Sequence, residues 1–452
     1  MLKKIILGFL LFNCVFLINP VVAKVVHIRV TEAKDFGIKI ALLPFNNLAK
    51  YSRSKEITAI MTNDLNYSGQ FRVLELSLED LDILEKIPAK AENIDFKFWR
   101  DTGAEYLLIT KLYPSSDAEN LIVNLQLIDL YKPLNPIHLS TEINTYPNET
   151  PRQLAHRLSN VIFKNLTGIK GFFKTKIAYI RAENLGHQNP EYSLNIADFD
   201  GFNENKLFST TYPIMSPSWS PDAKKIAFVS FKDNRSSINI ANLTTGKINI
   251  VTKYPGINGA PAWSPSGDKL AVVLSKDGSP KIYVLDLSNG NLQKITNGIA
   301  IDTEPCWSND AREIFFTSNR GGKPQIYKVD LNNGKTNRVT FKGEYNATPV
   351  LTPDNRYLVM LHCGENCSKT DPMFNIAVQS LDSGKVRVLT TMGMEESPAV
   401  APNGMMVIYS TKPSKESNKV LAGVSIEGYF SKYLPIIGGG SLKNPVWSPF
   451  LD

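Results

Sequence analysis

Pro217-Ser-Trp-Ser-Pro-Asp222 is the first copy of the motif that decides the fold of this chain. Five further copies follow: Pro261-Ala-Trp-Ser-Pro-Ser266, Pro305-Cys-Trp-Ser-Asn-Asp310, Pro349-Val-Leu-Thr-Pro-Asp354, Pro398-Ala-Val-Ala-Pro-Asn403 and Pro445-Val-Trp-Ser-Pro449. The spacings between their first prolines are 44, 44, 44, 49 and 47 residues. A regular period of this length predicts a propeller or a solenoid, in which each unit packs against its neighbours.

Each copy of the motif opens a unit of four short strands. Two apolar runs follow it, such as Leu270-Ala-Val-Val-Leu274 and Ile282-Tyr-Val-Leu-Asp-Leu287, and a weaker strand ends near Ile295-Thr296. Asn289-Gly290 precedes that weaker strand and predicts a hairpin, because both residues readily adopt positive φ. Continuous apolar runs indicate strands that are covered on both faces by neighbouring sheets.

The two ends of the repeat predict a closed ring. The last motif stops at Asp452 without its other three strands, while strand patterns at Lys176–Ile180 and Leu194–Asp198 have no motif before them. Pairing the C-terminal strand with Lys176–Ile180 completes this blade and removes two exposed sheet edges. We therefore predict an all-β six-bladed propeller over residues 176–452.

The first residues predict a secretion signal. Lys3 and Lys4 precede an apolar run over residues 5–18 that is too short to cross a bilayer comfortably. Val21-Val-Ala23 then fits a signal peptidase site. We predict that residues 1–23 are cleaved and that the mature chain is a soluble secreted protein; an uncleaved anchor is the alternative.

A smaller α/β domain is predicted over residues 24–167, followed by a linker at 168–175. Strand patterns such as Ile38–Leu43 alternate with helix patterns, including one around Leu78–Leu84. The last helix is predicted to begin at Thr150-Pro-Arg-Gln153, which combines a capping box with proline at the first helical position.

Composition and charge exclude several classes of protein. Among the 452 residues 43% are hydrophobic, which is typical of a globular chain and excludes a disordered polymer. The formal charge is +7, but the 50 basic residues are scattered rather than clustered. No nucleic-acid partner is therefore expected.

The cysteines and acidic turns give weak site signals. Cys363 and Cys367 are candidates for a small loop disulfide in an oxidising compartment, whereas Cys306, beside a motif tryptophan, is expected to be buried. The CxxxC spacing lacks a second ligand pair, and the nearby His362 is expected to pack at a strand end. Asp198-Phe-Asp-Gly201 lacks the downstream glutamate of a calcium loop. We expect neither a metal nor a cofactor.

The sequence offers no catalytic constellation. Six-bladed propellers of this type also occur attached to serine peptidases, which carry their nucleophile in Gly-x-Ser-x-Gly. The nearest string, Gly439-Gly-Ser-Leu-Lys443, lacks the last glycine, and the 5 histidines are dispersed. HExxH, P-loop and GxGxxG motifs are absent. We expect a binding protein and no enzyme; a serine peptidase relative and a direct binder of cell-wall glycan are the alternatives.

The connections just before the motif prolines are the candidate binding site. They reach one mouth of the ring and mix acidic, amide and apolar side chains, which is typical of binding loops on a rigid scaffold. The candidate residues are Met215, Ile257, Asn258, Gly259, Ala260, Thr303, Glu304, Asn346 and Glu396.

Several stretches together carry a family resemblance. They include Leu43-Pro-Phe45, Leu65–Phe71, the helix-to-ring junction Leu166–Phe173, Met215–Asp222 and the terminal Pro445–Pro449. With the leader and the N-terminal domain, they make the mature chain similar over nearly its whole length to the TolB family of periplasmic propeller proteins in the Tol-Pal system.

The resemblance implies a monomeric, non-enzymatic periplasmic adaptor that supports outer-membrane integrity and envelope constriction at cell division. It implies that the lipoprotein Pal binds at the mouth, with Asn258, Gly259, Ala260, Thr303 and Glu304 as the foremost contacts. Other outer-membrane lipoproteins are further candidate partners. Ile257 stands where the family commonly has a histidine, so this contact is expected to be more apolar.

The resemblance also implies that TolA binds the mature N-terminus. That segment begins Lys24, Val25, Val26, His27, Ile28, Arg29 and Val30, and extends to about Lys34. In the family its conformation is coupled to occupancy of the mouth, so that Pal release can follow TolA engagement.

Overall fold

The structure is a computed structural model that describes residues 36–47, 49–74, 93–116, 120–186, 188–365, 367–368, 370 and 372–451. The predicted signal peptide over residues 1–23 and the predicted helix around 78–84 lie outside the described residues. Within the described ranges, every helix is too short or too polar to cross a membrane.

The N-terminal domain is a mixed sheet with helices on both faces. Its strands are β1 (Ile38–Leu42), β2 (Asn46–Asn47), β3 (Phe71–Val73), β4 (Tyr106–Pro114), β5 (Leu121–Asp129) and β6 (Ile137–Asn144). Its described helices are α1 (Ser54–Tyr67), α2 (Phe96–Asp101) and α3 (Pro151–Thr167). The sheet order is β3-β1-β4-β5-β6, with β2 beside β4. β1 runs parallel to β3 and β4, β2 runs parallel to β4, and β5 is antiparallel to both β4 and β6.

Helix α3 starts and stops at the residues that the sequence predicts. The Gln153 amide N–H donates to Thr150 Oγ1 at 3.2 Å, and the Thr150 amide donates to Gln153 Oε1 at 2.9 Å, so the capping box is confirmed. Gly168 ends the helix with a φ of 74°. The apolar face of α3, with Leu154, Leu158 and Ile162, is buried in the same core as α1.

The propeller has six four-stranded blades. Blade 1 contains β30 (Ser441–Trp447), β7 (Lys176–Glu183), β8 (Glu191–Asp198) and β9 (Asn205–Thr210). Blade 2 contains β10 (Ile214–Trp219), β11 (Lys225–Ser230), β12 (Ser237–Asn242) and β13 (Ile248–Thr252). Blade 3 contains β14 (Asn258–Trp263), β15 (Lys269–Leu274), β16 (Lys281–Asp286) and β17 (Leu292–Lys294).

The remaining three blades repeat the same order. Blade 4 contains β18 (Asp302–Trp307), β19 (Glu313–Ser318), β20 (Gln325–Asp330) and β21 (Thr336–Arg338). Blade 5 contains β22 (Tyr345–Leu351), β23 (Tyr357–Cys363), β24 (Asn375–Ser380) and β25 (Val386–Val388). Blade 6 contains β26 (Glu396–Val400), β27 (Met406–Thr411), β28 (Val420–Ser425) and β29 (Ser431–Tyr433).

The C-terminal strand closes the ring as predicted. β30 pairs antiparallel with β7, so that Trp447 lies opposite Ile177. The pairing is extended by Ser448, whose amide donates to Lys176 O at 2.8 Å and whose Oγ accepts from the Lys176 amide at 3.0 Å. Trp447 Nε1 also donates to Thr175 Oγ1 at 2.8 Å. The prediction of six blades with a shared first blade is confirmed.

The motif tryptophans join neighbouring blades. Trp263 Nε1 donates to Ser218 O of the preceding blade at 3.0 Å, and Trp307 Nε1 donates to Ala262 O at 3.1 Å. These two indoles therefore add a hydrogen bond to the apolar surface that they bury between sheets. The predicted structural role of these residues is confirmed.

The antiparallel order of each blade gives the ring two different ends. The connections between blades and the loops between second and third strands share one end, which we call the mouth face. The N-terminal domain packs on the other end: Tyr67 contacts Phe430 with ring centroids 5.6 Å apart, and Asn403 Nδ2 donates to Lys170 O at 3.1 Å. The described part of the N-terminal domain therefore leaves the mouth face uncovered.

A buried ionic cluster joins the two domains. Arg152 of α3 donates from Nε to Asp198 Oδ2 at 2.8 Å and from Nη2 to both carboxylate oxygens of Asp200, in the turn after β8. Lys176 Nζ holds the other oxygen of Asp198 at 2.9 Å. Around this cluster, Phe172 and Phe173 of the predicted linker are fully buried in a core shared by both domains. The joint is therefore a packed interface.

Ring closure generates the first testable prediction. We expect Trp447→Ala to lower the free energy of unfolding by roughly 3–5 kcal/mol, because it leaves a cavity between β30 and the joint. Trp447→Phe should cost only about 1–2 kcal/mol, since it keeps most of the apolar volume and loses one hydrogen bond. Urea denaturation of the two variants provides the measurement, and equal losses would contradict the packing role.

The ionic joint generates the second prediction. Arg152→Ala leaves two largely buried carboxylates without their main cation, so we expect a loss of roughly 3–5 kcal/mol. Arg53→Ala is the matched control, because its partner Glu56 is 40% exposed and such surface pairs contribute less than about 1 kcal/mol. Both variants are compared by urea denaturation, and indistinguishable curves would contradict the assigned role of Arg152.

Candidate functional site

Six residues in left-handed conformation surround the axis of the ring. Each immediately precedes the first proline of a motif, and their φ angles lie between 44° and 54°: Ser216, Ala260, Glu304, Thr348, Ser397 and Asn444. A register shift of the first two strands occurs at each of these positions. A residue other than glycine is strained in this region, and the bulge turns it out of the ladder. The chain thus builds the same strained bulge six times.

These bulges line a central cavity of about 620 Å³. Its wall is formed by the first strands of all six blades, from the left-handed residues at one end to the motif prolines and tryptophans. The wall is mostly apolar, with polar groups at the left-handed positions. A channel of this size admits a side chain or a peptide segment, and it fits the general pattern of a concave apolar site with a few polar groups.

Cys306 belongs to this channel wall, where it is half-buried, whereas the sequence predicted a buried residue. Cys306 lies on β18, the innermost strand of blade 4. This strand faces the channel, so the Cys306 side chain is not covered by a neighbouring sheet. Desolvation by the surrounding packing raises the pKa of its thiol to about 11. The thiol is therefore protonated at neutral pH and is a poor nucleophile.

Glu304 is the charged member of the six, and it fastens two blades together. Its Oε2 accepts from the Thr348 amide at 2.9 Å and from Thr317 Oγ1 at 2.7 Å. Its Oε1 accepts from Thr348 Oγ1 at 3.2 Å. Across the ring, Asn444 Nδ2 donates to Ser397 Oγ at 3.0 Å. Glu304 therefore has a structural role that the sequence did not predict.

The structure places the predicted mouth residues in two groups. One group is accessible: Ile257, Met215 and Glu396 are exposed, and Gly259, Ala260, Thr303 and Glu304 are partly exposed at the entrance. The other group consists of Asn258 and Asn346, whose side chains are fully buried. All except Ile257 lie within first strands, since these strands begin earlier than the motif prolines suggested.

A direct side-chain contact is not available to Asn258 and Asn346. Asn258 Nδ2 donates to Tyr254 O at 2.7 Å, and its Oδ1 accepts from the Tyr254 amide at 2.9 Å. Asn346 Oδ1 lies 2.8 Å from His362 Nδ1, and its Nδ2 donates to Gln325 Oε1 at 2.8 Å. The contact prediction for these two side chains is corrected accordingly: they hold the connections in place. Buried amides need partners, and these are supplied locally.

The predicted disulfide lies on the mouth face. Cys363 ends β23, and its sulfur is bonded to that of Cys367, with the two Cα atoms 5.5 Å apart. His362 is buried beside it on Asn346, and burial lowers the pKa of its imidazole. The histidine is thus a packed strand residue, as the sequence predicted.

The predicted TolA-binding residues, Lys24 to Val30, lie outside the described residues. The described chain starts at Phe36, whose ring stacks on Tyr429 with centroids 3.7 Å apart. Tyr429 belongs to the loop between β28 and β29, at the end of the ring that carries the N-terminal domain. The described chain therefore begins at the joint between the domains.

The joint also contains an Asp–His pair. His156 Nδ1 lies 2.8 Å from Asp64 Oδ2, and ligand atoms of Asp64, His156 and Asp200 lie within 4.8 Å of one another. Arg152 already holds both oxygens of Asp200, so the group is better described as an ion-pair network than as a metal centre. Burial raises the pKa of Asp64, against the opposing effect of His156.

This pair does not form a peptidase site. Asp64 and His156 are 1% and 4% exposed between the two domains, and neither lines the central channel. The other described histidines are His138, near Asn165 O, and His362, on Asn346. None of the three described imidazoles is hydrogen-bonded to a serine hydroxyl. The geometry within the described residues therefore offers a binding channel rather than a nucleophile and base.

Comparison with known proteins agrees with this architecture. A family model of the TolB amino-terminal domain matches residues 26–134, and one of the TolB β-propeller domain matches residues 163–451. The chain is 44% identical over 451 residues to the Tol-Pal system protein TolB of Hydrogenovibrio crunogenus, covering 100% of both chains. It is 47% identical to the protein of the same name from Pseudomonas aeruginosa, covering 94% of both.

A solved structure supports the same assignment. The crystal structure of TolB from Acinetobacter baumannii is similar with a TM-score of 0.79 and 34% identity, covering 92% of this chain and 98% of that one. Both the sequence and the arrangement of the two domains are thus shared along nearly the whole chain. The chain belongs to the TolB family of Tol-Pal system proteins.

Proposed function

We propose that the protein is a non-enzymatic periplasmic adaptor of the Tol-Pal system. It binds the lipoprotein Pal at the mouth of the propeller and TolA through its mature N-terminus. In this role it supports outer-membrane integrity and envelope constriction during cell division. The observation that carries the proposal is the channel entrance built by six strained bulges, which the described part of the N-terminal domain, at the opposite end of the ring, leaves uncovered.

Strain at the entrance supports a binding role. Six left-handed residues, each before a proline, cost free energy that a purely structural strand would avoid. The bulges expose backbone and side chains at the axis, where an inserted segment can reach several blades at once. Gly259, Ala260 and Thr303 lie where two adjacent blades, 3 and 4, meet this entrance. Pal contact at these residues follows from the resemblance and from their accessibility.

The described chain begins beside the joint, and this supports the second half of the proposal. Phe36, which follows the proposed TolA-binding segment in the sequence, stacks on Tyr429 of blade 6. Binding of TolA to residues that precede Phe36 can therefore bias contacts between the two domains, which the proposed coupling requires.

The mouth is tested by Gly259→Arg. Gly259 has an ordinary backbone conformation, and the nearest atom that an added Cβ would meet is Ile257 Cγ2 at 3.7 Å. An arginine is therefore accommodated by the fold while it narrows the entrance. We expect at least a tenfold weaker Kd for the purified soluble domain of Pal, measured by titration calorimetry, with an unchanged melting temperature.

Gly364→Arg is the matched control for the mouth variant. Gly364 lies in the disulfide loop at the outer part of the same face, where an added Cβ meets open space. We expect its Pal affinity to stay within twofold of the unaltered protein. If Gly259→Arg also binds within twofold, Pal does not use the channel entrance.

The N-terminus is tested by deletion of residues 24–34 from the mature protein. TolA binding should be lost, because the proposed recognition segment is removed, while the melting temperature of the propeller should remain the same. Binding of a purified periplasmic TolA domain by biolayer interferometry is the measurement. A deletion variant that replaces the segment by a glycine-serine stretch of equal length controls for chain length, and retained TolA binding in both would refute this assignment.

A further inference from the structure

Exposed apolar side chains occur on most of the connections that lead into the first strands. We call six of them the apolar rim, and their exposed fractions are Ile257 49%, Ile299 97%, Ile301 48%, Phe341 72%, Met392 44% and Ile437 87%. They come from five of the six connections between blades. A soluble surface rarely concentrates large apolar groups in this way unless it binds something.

In each of these connections, a buried polar side chain is hydrogen-bonded to the backbone and holds it in place. In the connection to blade 3, Asn258 binds both backbone groups of Tyr254, while the Ile257 amide donates to Ser275 Oγ at 2.7 Å. In the connection to blade 5, Asn346 Nδ2 donates to Lys342 O at 2.9 Å, one residue after Phe341. The apolar side chains are therefore presented by fixed backbone.

The connection to blade 4 is held by three charged groups. Asp302 is fully buried, with Lys281 Nζ at 3.2 Å and Arg320 Nη2 at 2.9 Å. Lys281 Nζ also donates to Ala300 O, the carbonyl between Ile299 and Ile301. Burying the charge of a lysine residue that is only 1% exposed is costly unless its partners compensate for the desolvation. This network places Ile299 and Ile301 on a rigid turn.

The other two connections follow the same principle. Arg181 is 6% exposed and donates to Ile437 O at 3.0 Å and to Gly439 O at 2.7 Å. Buried Glu395 accepts from the Met392 amide at 3.2 Å. All five rim-bearing connections are therefore pre-ordered, which lowers the entropy cost of binding a partner.

The unpaired exposed charges of the connections are positive. In the connections themselves the charged residues are Lys253, Lys342, Glu344 and Glu395. Glu344 is paired with Lys323, and Glu395 is buried. Lys253 and Lys342 are exposed and have no acidic partner among the described residues. A complementary surface would carry carboxylates beside its apolar centre.

We propose that the apolar rim is the principal affinity determinant of the mouth, and that its occupant is the folded domain of the lipoprotein partner, presenting an apolar surface flanked by carboxylates. This inference rests on the proposed function and specifies the chemistry of that site. Ile299 and Ile437 are the anchors, because they are the most exposed members and stand on opposite sides of the ring. The lysines mainly accelerate and orient association.

The test uses the mature protein and the purified soluble domain of Pal from the same organism. We expect the double variant Ile299→Asp/Ile437→Asp to bind about 100-fold more weakly, as two buried anchors each worth about tenfold would predict. The volume-preserving pair Ile299→Val/Ile437→Val should bind within threefold of the unaltered protein. Lys253→Glu/Lys342→Glu should lose less than tenfold, and most of that loss should disappear at about 0.5 M salt.

Leu134→Asp is the matched control, because Leu134 is fully exposed on the β5–β6 hairpin, away from the mouth. Its affinity should equal that of the unaltered protein, and all variants should melt at the same temperature. Binding within twofold by the aspartate pair would overturn this inference and leave the proposed function standing. Absence of Pal binding by the unaltered protein would overturn both.

Discussion

The pairing of β30 with β7 is the constraint on which the other features depend. It joins segments that are more than 250 residues apart, whereas every other blade is continuous in sequence. β30 supplies Asn444, without which the ring of left-handed residues would lack its sixth member. The same strand ends at Trp447, whose indole reaches Thr175 at the junction with the N-terminal domain. Strand β30 thus closes the ring, completes the channel and contributes to the attachment of the N-terminal domain.

The joint and the channel meet in the same two blades. Lys176 lies at the start of β7 and binds Asp198, which also binds Arg152 of the N-terminal domain. On the inner side, Asn444 of blade 1 donates to Ser397 of blade 6. Coupling between the joint and the channel would further require that a partner bind two arrangements of this joint with different affinities.

The architecture was predictable from the sequence because it repeats. Six motif copies, an unpaired final strand and a capping box specify the blades, the closure and helix α3 through local rules. The site was only partly predictable. Glu304 and the buried amides Asn258 and Asn346 look like contact residues in a loop, yet their partners come from positions such as Thr348 and His362, in neighbouring blades or strands. The exposure of Ile299 and Ile437 likewise depends on buried charges that the linear motif does not reveal.

Buried polar side chains and exposed apolar side chains have different roles at the mouth. The side chains of Asp302, Asn346 and Arg181 form their hydrogen bonds within the ring. They therefore make the connections rigid and have few donors or acceptors left for a partner. The rim side chains do the reverse: they make few internal contacts and keep their apolar area in water until a partner covers it. Since buried polar groups are sensitive to any substitution, variation in partner choice is accommodated most easily at the rim.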